Sequence, residues 1–384
     1  MITEKLHAAF VQQFGASGAQ YTSPGRINLI GEHVDYNGGY VLPGAIDKAI
    51  FLEIRPNGTN KSRVFSQDYN ERAEFGLNET DKPQQPWAHY VFGVARELIK
   101  RGGKIEGFDA VFTGNVPLGA GLSSSAALES VFAFALNELF ACGVEKKQLA
   151  VVGQMTEHHY AGVKCGIMDQ FASVFGKKNH LIRLNCDTLE YEYVPCELGN
   201  YRLVLVDSCV KHTLVDSPYD RRRESCERVV KAIAQRHPQV KVLAHATWDM
   251  LKEVQSTVSE VDYRRATFVV GEIKRVEKVC AALKNGDLEE VGKNMYATHQ
   301  GLSKDYEVSC EEVDFLSECA QKYGAAGARI MGGGFGGCTI NLVKSESYDN
   351  FVEKIAKDYT AKFGLAPKVY DVKIEDGARV IADK

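Results

Sequence analysis

The chain has 384 residues, enough for two domains at about 150 residues each. Hydrophobic residues make up 45% and charged residues 25%, which suits a packed core and excludes disorder as the main state. Lys plus Arg is 46 against 50 for Asp plus Glu, and the net charge of -4 gives neither nucleic acid nor an anionic membrane an electrostatic hold, so neither is expected as a partner.

The first residues, MITEKLHAAFVQQFG, read as an amphipathic helix with Leu6, Phe10 and Phe14 on one side. They lack the basic and apolar regions of an export signal, and no run of about 18 apolar residues follows, so no membrane span is expected. Residues 40 to 54 and 61 to 67 are rich in β-branched and aromatic residues around Pro56-Asn57-Gly58 and read as paired strands. A helix is expected from Trp87 to Arg101, a strand over 107 to 116, and a long, largely buried helix from Ser123 to Cys142 with Gly143 as its stop. Its polar stripe is Glu129, Ser130, Asn137 and Glu138. Helices from Glu145 to about Ala161 and from near Ile167 come next, then strands at 180 to 185 and 201 to 207.

Ser217-Pro218-Tyr219-Asp220 supplies a cap, a proline at the first helical position and an early acid, so a helix starts there. Helical periodicity runs to about Tyr323. Strands at 325 to 331 and 338 to 343, a helix at 347 to 362 and a strand at 367 to 374 close an α+β chain without βαβ regularity. The expected domains are residues 1–175 and 176–384, with the boundary moved if the last strand returns to an earlier element. The ten cysteines form no C-x-x-C pair and read as reduced thiols, which predicts a cytoplasmic protein.

Four motifs carry the chemistry. PLGAGLSSSAA, residues 117 to 127, follows a strand with glycines, three serines and a helix start, a composition that binds anions through backbone amides and hydroxyls. It lacks the lysine of a Walker loop, and a serine-capped turn without a ligand is its plain alternative. PGRINLIGEHVDYNGG, residues 24 to 39, gathers Arg26, Glu32, His33, Asp35 and Asn37, the mix of donors and acceptors that a polyhydroxylated ligand needs. Its alternative is a solvated turn with salt bridges.

CGIMDQFASVFG, residues 165 to 176, sets Asp169 in the first turn of a helix, where it can accept a hydrogen bond from an attacking hydroxyl or merely complement the helix dipole. Glu157 beside His158 and His159 would by itself be a surface cluster. MGGGFGGCTINLV matches G-x-G-x-x-G through Gly332, Gly334 and Gly337, yet a β-rich run follows instead of a helix, so a dinucleotide fingerprint is rejected. A loop lining a ligand cavity and a bare hairpin remain equally open.

Taken in this order, GRINLIGEHVDY, PLGAGLSSSAA and GGGFGG resemble the galactokinase family, within the superfamily that also holds homoserine, mevalonate and phosphomevalonate kinases. The resemblance spans essentially the whole chain, with Val34 where threonine is common and Lys211-His212-Thr213 varying a basic stretch. It implies a two-domain α+β fold of the GHMP-kinase type with the active site in the cleft between domains. It implies magnesium-dependent transfer of phosphate from ATP to the C1 hydroxyl of galactose by a monomeric enzyme. By resemblance, Asp169 is the base and Arg26 its neighbour, while Glu32, His33, Val34, Asp35 and Tyr219 face the sugar. Gly119, Ala120, Gly121, Leu122, Ser123, Ser124 and Ser125 hold ATP, and Ser125 and Glu157 the metal. A kinase for a related sugar such as N-acetylgalactosamine or arabinose, or a sensor that binds sugar and ATP without turnover, stands as the alternative.

Overall fold

The computed structural model describes residues 1–117, 119–210 and 218–382; Leu118, Lys211-His212-Thr213 and the capping Ser217 lie outside the described residues. Helix α1 (Ile2–Phe14) buries Leu6 and Phe10 and ends at Gly15, whose φ of 67° lets its amide bond back to Val11. Strands β1 (Ala19–Asn28), β2 (Tyr40–Val41), β3 (Pro43–Pro56), β4 (Lys61–Ser66) and β5 (Glu71–Gly76) follow. Then come α2 (Ala88–Lys100), β6 (Phe108–Gly114), α3 (Ser124–Leu139), α4 (Lys146–Thr156) and α5 (Met168–Phe175). The chain continues through β7 (His180–Asn185), β8 (Tyr191–Pro195), β9 (Tyr201–Asp207), α6 (Pro218–Ala234), α7 (Trp248–Val254), α8 (Glu260–Lys284), α9 (Leu288–Lys304) and α10 (Glu311–Lys322). It closes with β10 (Gly327–Ile330), β11 (Cys338–Lys344), α11 (Tyr348–Phe363), β12 (Lys368–Val372) and β13 (Arg379–Val380).

A six-stranded sheet in the order β13-β1-β3-β6-β4-β5 carries the first half of the chain. Its central strand β6 is covered on both faces: Val111 points to α1 with Leu6 and Phe10, and Phe108, Ala110 and Phe112 point to the core under α2 and α3. A four-stranded sheet, β10-β11-β9-β12, carries the second half. Strand β9 alternates in the same way, with Val204 and Val206 against α10 and α11 and Leu203 and Leu205 in the main core.

One expectation needs correction. Residues 40–54 and 61–67 do form strands, but β3 and β4 are not partners: β6 inserts between them and runs parallel to β4. Glu129 and Ser130, from the polar stripe of α3, are both buried beneath the cleft described below. Strands β7 and β8, which follow residue 175, form a three-stranded sheet with β2. The chain end does return, β13 pairing with β1 through Tyr21 and Val380. All ten cysteines are free thiols, and among the described residues no helix is long and apolar enough to cross a membrane.

The close approach of α9 to the β10 side of the second sheet rests on glycine. Alanine is normally favoured over glycine inside a helix by about 1 kcal/mol, but a Cβ on Gly292 would stand 2.0 Å from the backbone oxygen of Ala326. Gly292→Ala is therefore expected to cost about 1–3 kcal/mol, seen as a lower urea midpoint at unchanged m-value. Gly271→Ala on α8, where a Cβ would meet only the edge of Trp248 at 3.7 Å, should be neutral or stabilising by up to about 1 kcal/mol. Equal losses in the two variants would remove backbone crowding as the cause.

Candidate active site

The site is built where β1 ends. The register of β1 against β3 shifts between Pro24 and Arg26, and this bulge re-aims Arg26 out of the ladder. A Cβ on Gly25 would lie 2.6 Å from the Leu122 carbonyl oxygen, so only glycine lets residues 119–123 settle against the strand. Arg26 then fastens that loop, its amide donating to Leu122 O at 3.1 Å and its Nη1 to Gly121 O at 2.5 Å. The same guanidinium makes a bidentate pair with Asp169 in the first turn of α5, Nε to Oδ1 and Nη2 to Oδ2, both at 2.8 Å.

Ser123 joins this pair. It caps α3 in the left-handed region, at φ 56°, but its hydroxyl donates to Asp169 Oδ2 and makes no capping bond. The first amides of α3 are thus left facing the cleft, where an anion can satisfy them. Gly119 and Gly121 also take positive φ, and across the cleft a Cβ on Gly121 would lie 3.3 Å from the Met331 carbonyl. The 332–337 glycines therefore form one wall of the cavity and are no bare hairpin; strand β11 follows them, as expected.

Opposite the loop, residues 32–35 carry the polar signature. Glu32 and His33 are buried, and His33 takes a φ of 59°, strained for a residue with a side chain. Its ring sits among Tyr36, Tyr219 and Tyr306, with centroids 5.8, 5.4 and 4.9 Å away, and Nδ1 meets the Tyr36 hydroxyl at 2.8 Å. Burial, and then the charge of Arg222, pulls the imidazole down to a pKa of about 3, so it is neutral at physiological pH. Tyr219, on the first turn of α6, supplies the roof from the second half of the chain.

Acidic groups crowd beneath the loop. Glu157 opens a single π-helical turn, Glu157–Ala161, that follows α4 directly and turns its carboxyl toward Ser125. Burial pushes Glu157 up to about 7, the Ser125 hydroxyl opposing and Asp169 adding to the rise. Glu129 below it is raised well above the carboxylate range, first by burial and then by Glu157, and accepts a hydrogen bond from Gln170 at 3.0 Å.

The cleft so enclosed has a volume of about 270 Å³. Of the residues singled out in the sequence, Arg26, Glu32, His33, Asp35, Gly119, Gly121, Leu122, Ser123, Ser124, Ser125, Glu157, Asp169 and Tyr219 line it. Val34 and Ala120 do not: both side chains are wholly buried, Val34 against Val41 and Ile167. Sequence reasoning passed over Tyr36, Tyr306, Gln170 and Arg329, which touch the lining residues from behind. A charged residue in the apolar run GARIM was the one available signal for Arg329.

Three family models match the chain: the galactokinase galactose-binding signature over residues 8–56, the GHMP kinases N terminal domain over 89–177, and the GHMP kinases C terminal over 280–361. The galactokinase of Thermotoga maritima is 42% identical over 94% of this chain and 99% of its own length. The chain belongs to the galactokinase family. The Enterococcus faecalis galactokinase is 40% identical over 98% of this chain and 99% of its own. The crystal structure of Lactococcus lactis galactokinase complexed with galactose superposes with a TM-score of 0.95 at 34% identity, covering 99% of this chain and all of that one. The mevalonate kinase of Methanococcus jannaschii, at 18% identity and a TM-score of 0.65, shares the fold.

One galactokinase-signature residue yields a measurable pH dependence. Burial, and then the charge of Asp169, raises Asp35 from an ordinary value of about 4 to about 7. A raised carboxyl contributes stability that is complete below about pH 4 and lost as the pH climbs through 7. Asp35→Asn, which cannot ionise, should therefore gain on wild type by on the order of 1–3 kcal/mol between pH 5 and pH 8. Urea unfolding of both proteins at the two pH values reads this gap; a gap that fails to widen means Asp35 ionises freely.

Proposed function

We propose that the protein transfers the γ-phosphoryl group of ATP to the C1 hydroxyl of α-D-galactose, giving galactose 1-phosphate and ADP. The observation that carries this reading is the Arg26–Asp169–Ser123 constellation at the junction of the glycine loops and the 32–35 signature. Asp169 is the acceptor for the sugar hydroxyl, holding its proton as the oxygen approaches phosphorus in line. Arg26 holds that carboxylate in orientation through both of its oxygens. The amides of residues 119–125 and the α3 N-terminus take the triphosphate. Glu32, neutral His33, Asp35 and Tyr219 contribute the mixed donors and acceptors that sort sugar hydroxyls.

Magnesium fits the residues present. Glu157 is a buried carboxyl facing a serine hydroxyl at the phosphate loop, a pairing that a cation would relieve. Mg²⁺ is commonly held by one or two carboxylates with substrate phosphates and water, so Ser125 and Glu157 suffice as its protein ligands. When bound it would neutralise phosphate charge. Every residue of this reading comes from one chain, so a monomer suffices, and free thiols with ATP as co-substrate suit the cytoplasm.

Asp169→Asn is expected to lower kcat for ADP release by about 10²–10⁴-fold while galactose still binds, as followed by calorimetry. A near wild-type rate would remove Asp169 from the chemistry. The same assay on wild type should favour galactose over N-acetylgalactosamine and arabinose; galactose binding without turnover would identify a sensor.

A further inference from the structure

Arg329 of β10 is wholly buried and is not itself a lining residue of the cleft, yet its guanidinium organises the segment that is. Its Nε donates to Leu29 O at 2.8 Å and its Nη1 to Ile330 O at 2.7 Å, while Nη2 donates to Asn28 O. Both Nη atoms also donate to Glu32 Oε1, each at 3.1 Å. All five N–H groups of the side chain are thereby used. The Gly332 amide adds a further bond to the same Oε1 at 2.9 Å.

This geometry differs from an ordinary structural ion pair. An Arg–carboxylate fork spends both carboxylate oxygens on two parallel bonds, as Arg26 and Asp169 do here. Arg329 and Gly332 instead converge on one oxygen of Glu32, and among the described residues Oε2 accepts no hydrogen bond. Glu32 lines the cleft, so an oriented acceptor is presented to whatever fills it.

We propose that Arg329 is a positioning residue for the sugar subsite, pinning Glu32 by one carboxylate oxygen so that the other accepts a hydrogen bond from a hydroxyl of the bound sugar. The inference rests on the reading that residues 32–35 face galactose. A lysine cannot replace the arginine in this role, because one ammonium cannot span three carbonyls and a carboxylate in fixed directions.

The test measures kcat and both KM values for wild type, Glu32→Gln, Arg329→Lys and the double variant, together with relative rates on the singly deoxygenated galactoses. Arg329→Lys should raise the KM for galactose about tenfold or more and leave the KM for ATP within about twofold. The double variant should be no worse than Glu32→Gln alone, since the arginine acts through the glutamate. Both single variants should lose the same discrimination against one deoxygalactose, a pattern that loosened folding would not produce. Effects that multiply in the double variant, or equal rises in both KM values, overturn the proposal while the sugar-side reading of Glu32 stands. A Glu32→Gln protein with unchanged galactose KM and unchanged deoxy-sugar preferences overturns that reading and the proposal with it. If Arg329→Lys does not fold, Glu32→Asp puts the same question: the shorter acid can stay with Arg329 or reach the sugar but not both. An unchanged galactose KM in that variant also sinks the idea.

Discussion

The buried Arg329 guanidinium is the constraint on which the two halves of the molecule depend. Taking such a charge out of water costs several kcal/mol, and only a full set of partners offsets it. Those partners, Asn28, Leu29 and Glu32, belong to a segment some 300 residues earlier in the chain. Separating β10 from that segment would leave a charge buried and unpaired, worth about 3–5 kcal/mol. Glu272 on α8 makes a second tie, accepting from the Gly31 amide at 2.9 Å. The conformation of residues 28–32 is therefore written by groups at positions 272 and 329, and the cavity wall exists only when both sheets are docked.

Charge balance then shapes what the cavity accepts. Glu32, Asp35, Glu157 and Asp169 line it, and Arg26 is the one Lys or Arg among the described lining residues, already committed to Asp169. The raised values of Asp35 and Glu157 record this crowding of acids in a space with little water. A triphosphate entering alone would meet repulsion that the loop amides and the helix dipole answer only in part. On the function proposed above, such a space would favour a nucleotide arriving with its own divalent cation, which beside Ser125 and Glu157 would also lower the cost of an ionised Glu157.

Local periodicity made much of the frame legible. Helices α1, α2 and α3 and strands β6 and β9 follow from apolar spacing, because each helix buries a continuous face and each strand is covered on both faces. Strand β1 was not legible: Ser23, Pro24 and Gly25 break its pattern, and they do so because the bulge aims Arg26. The pairing of β3 and β4 was misread because a turn between two strands says nothing of a third that arrives from residue 108 to lie between them. Glu129 and Ser130 were legible as polar positions on α3, but a sequence does not reveal that this side of the helix faces a buried acid cluster. In the site, motif spacing gave Arg26, Asp169, the loops and the 32–35 signature. It missed Tyr36, Tyr306 and Arg329, whose roles are created by contacts across the fold, and the family resemblance added Val34, whose side chain turns into the core.

The division of labour between the halves follows from these contacts. The groups suited to phosphoryl transfer, Arg26, the 119–125 loop, Glu157 and Asp169, all lie within the first 177 residues, seated on β1, α3, the π turn after α4 and α5. The groups that shape the opposite side include Tyr219, Tyr306, Arg329 and Gly332 from the second half, acting on or beside His33 and Glu32. The fold alone, shared with a mevalonate kinase at 18% identity, does not decide these roles; the residues placed on it do. Because the opposite side is assembled from both halves, a change in the second can alter which hydroxyls are read without moving Asp169 or the loop. On the function proposed above, selectivity for the acceptor would thus be a property of both halves together, and phosphoryl transfer a property of the first.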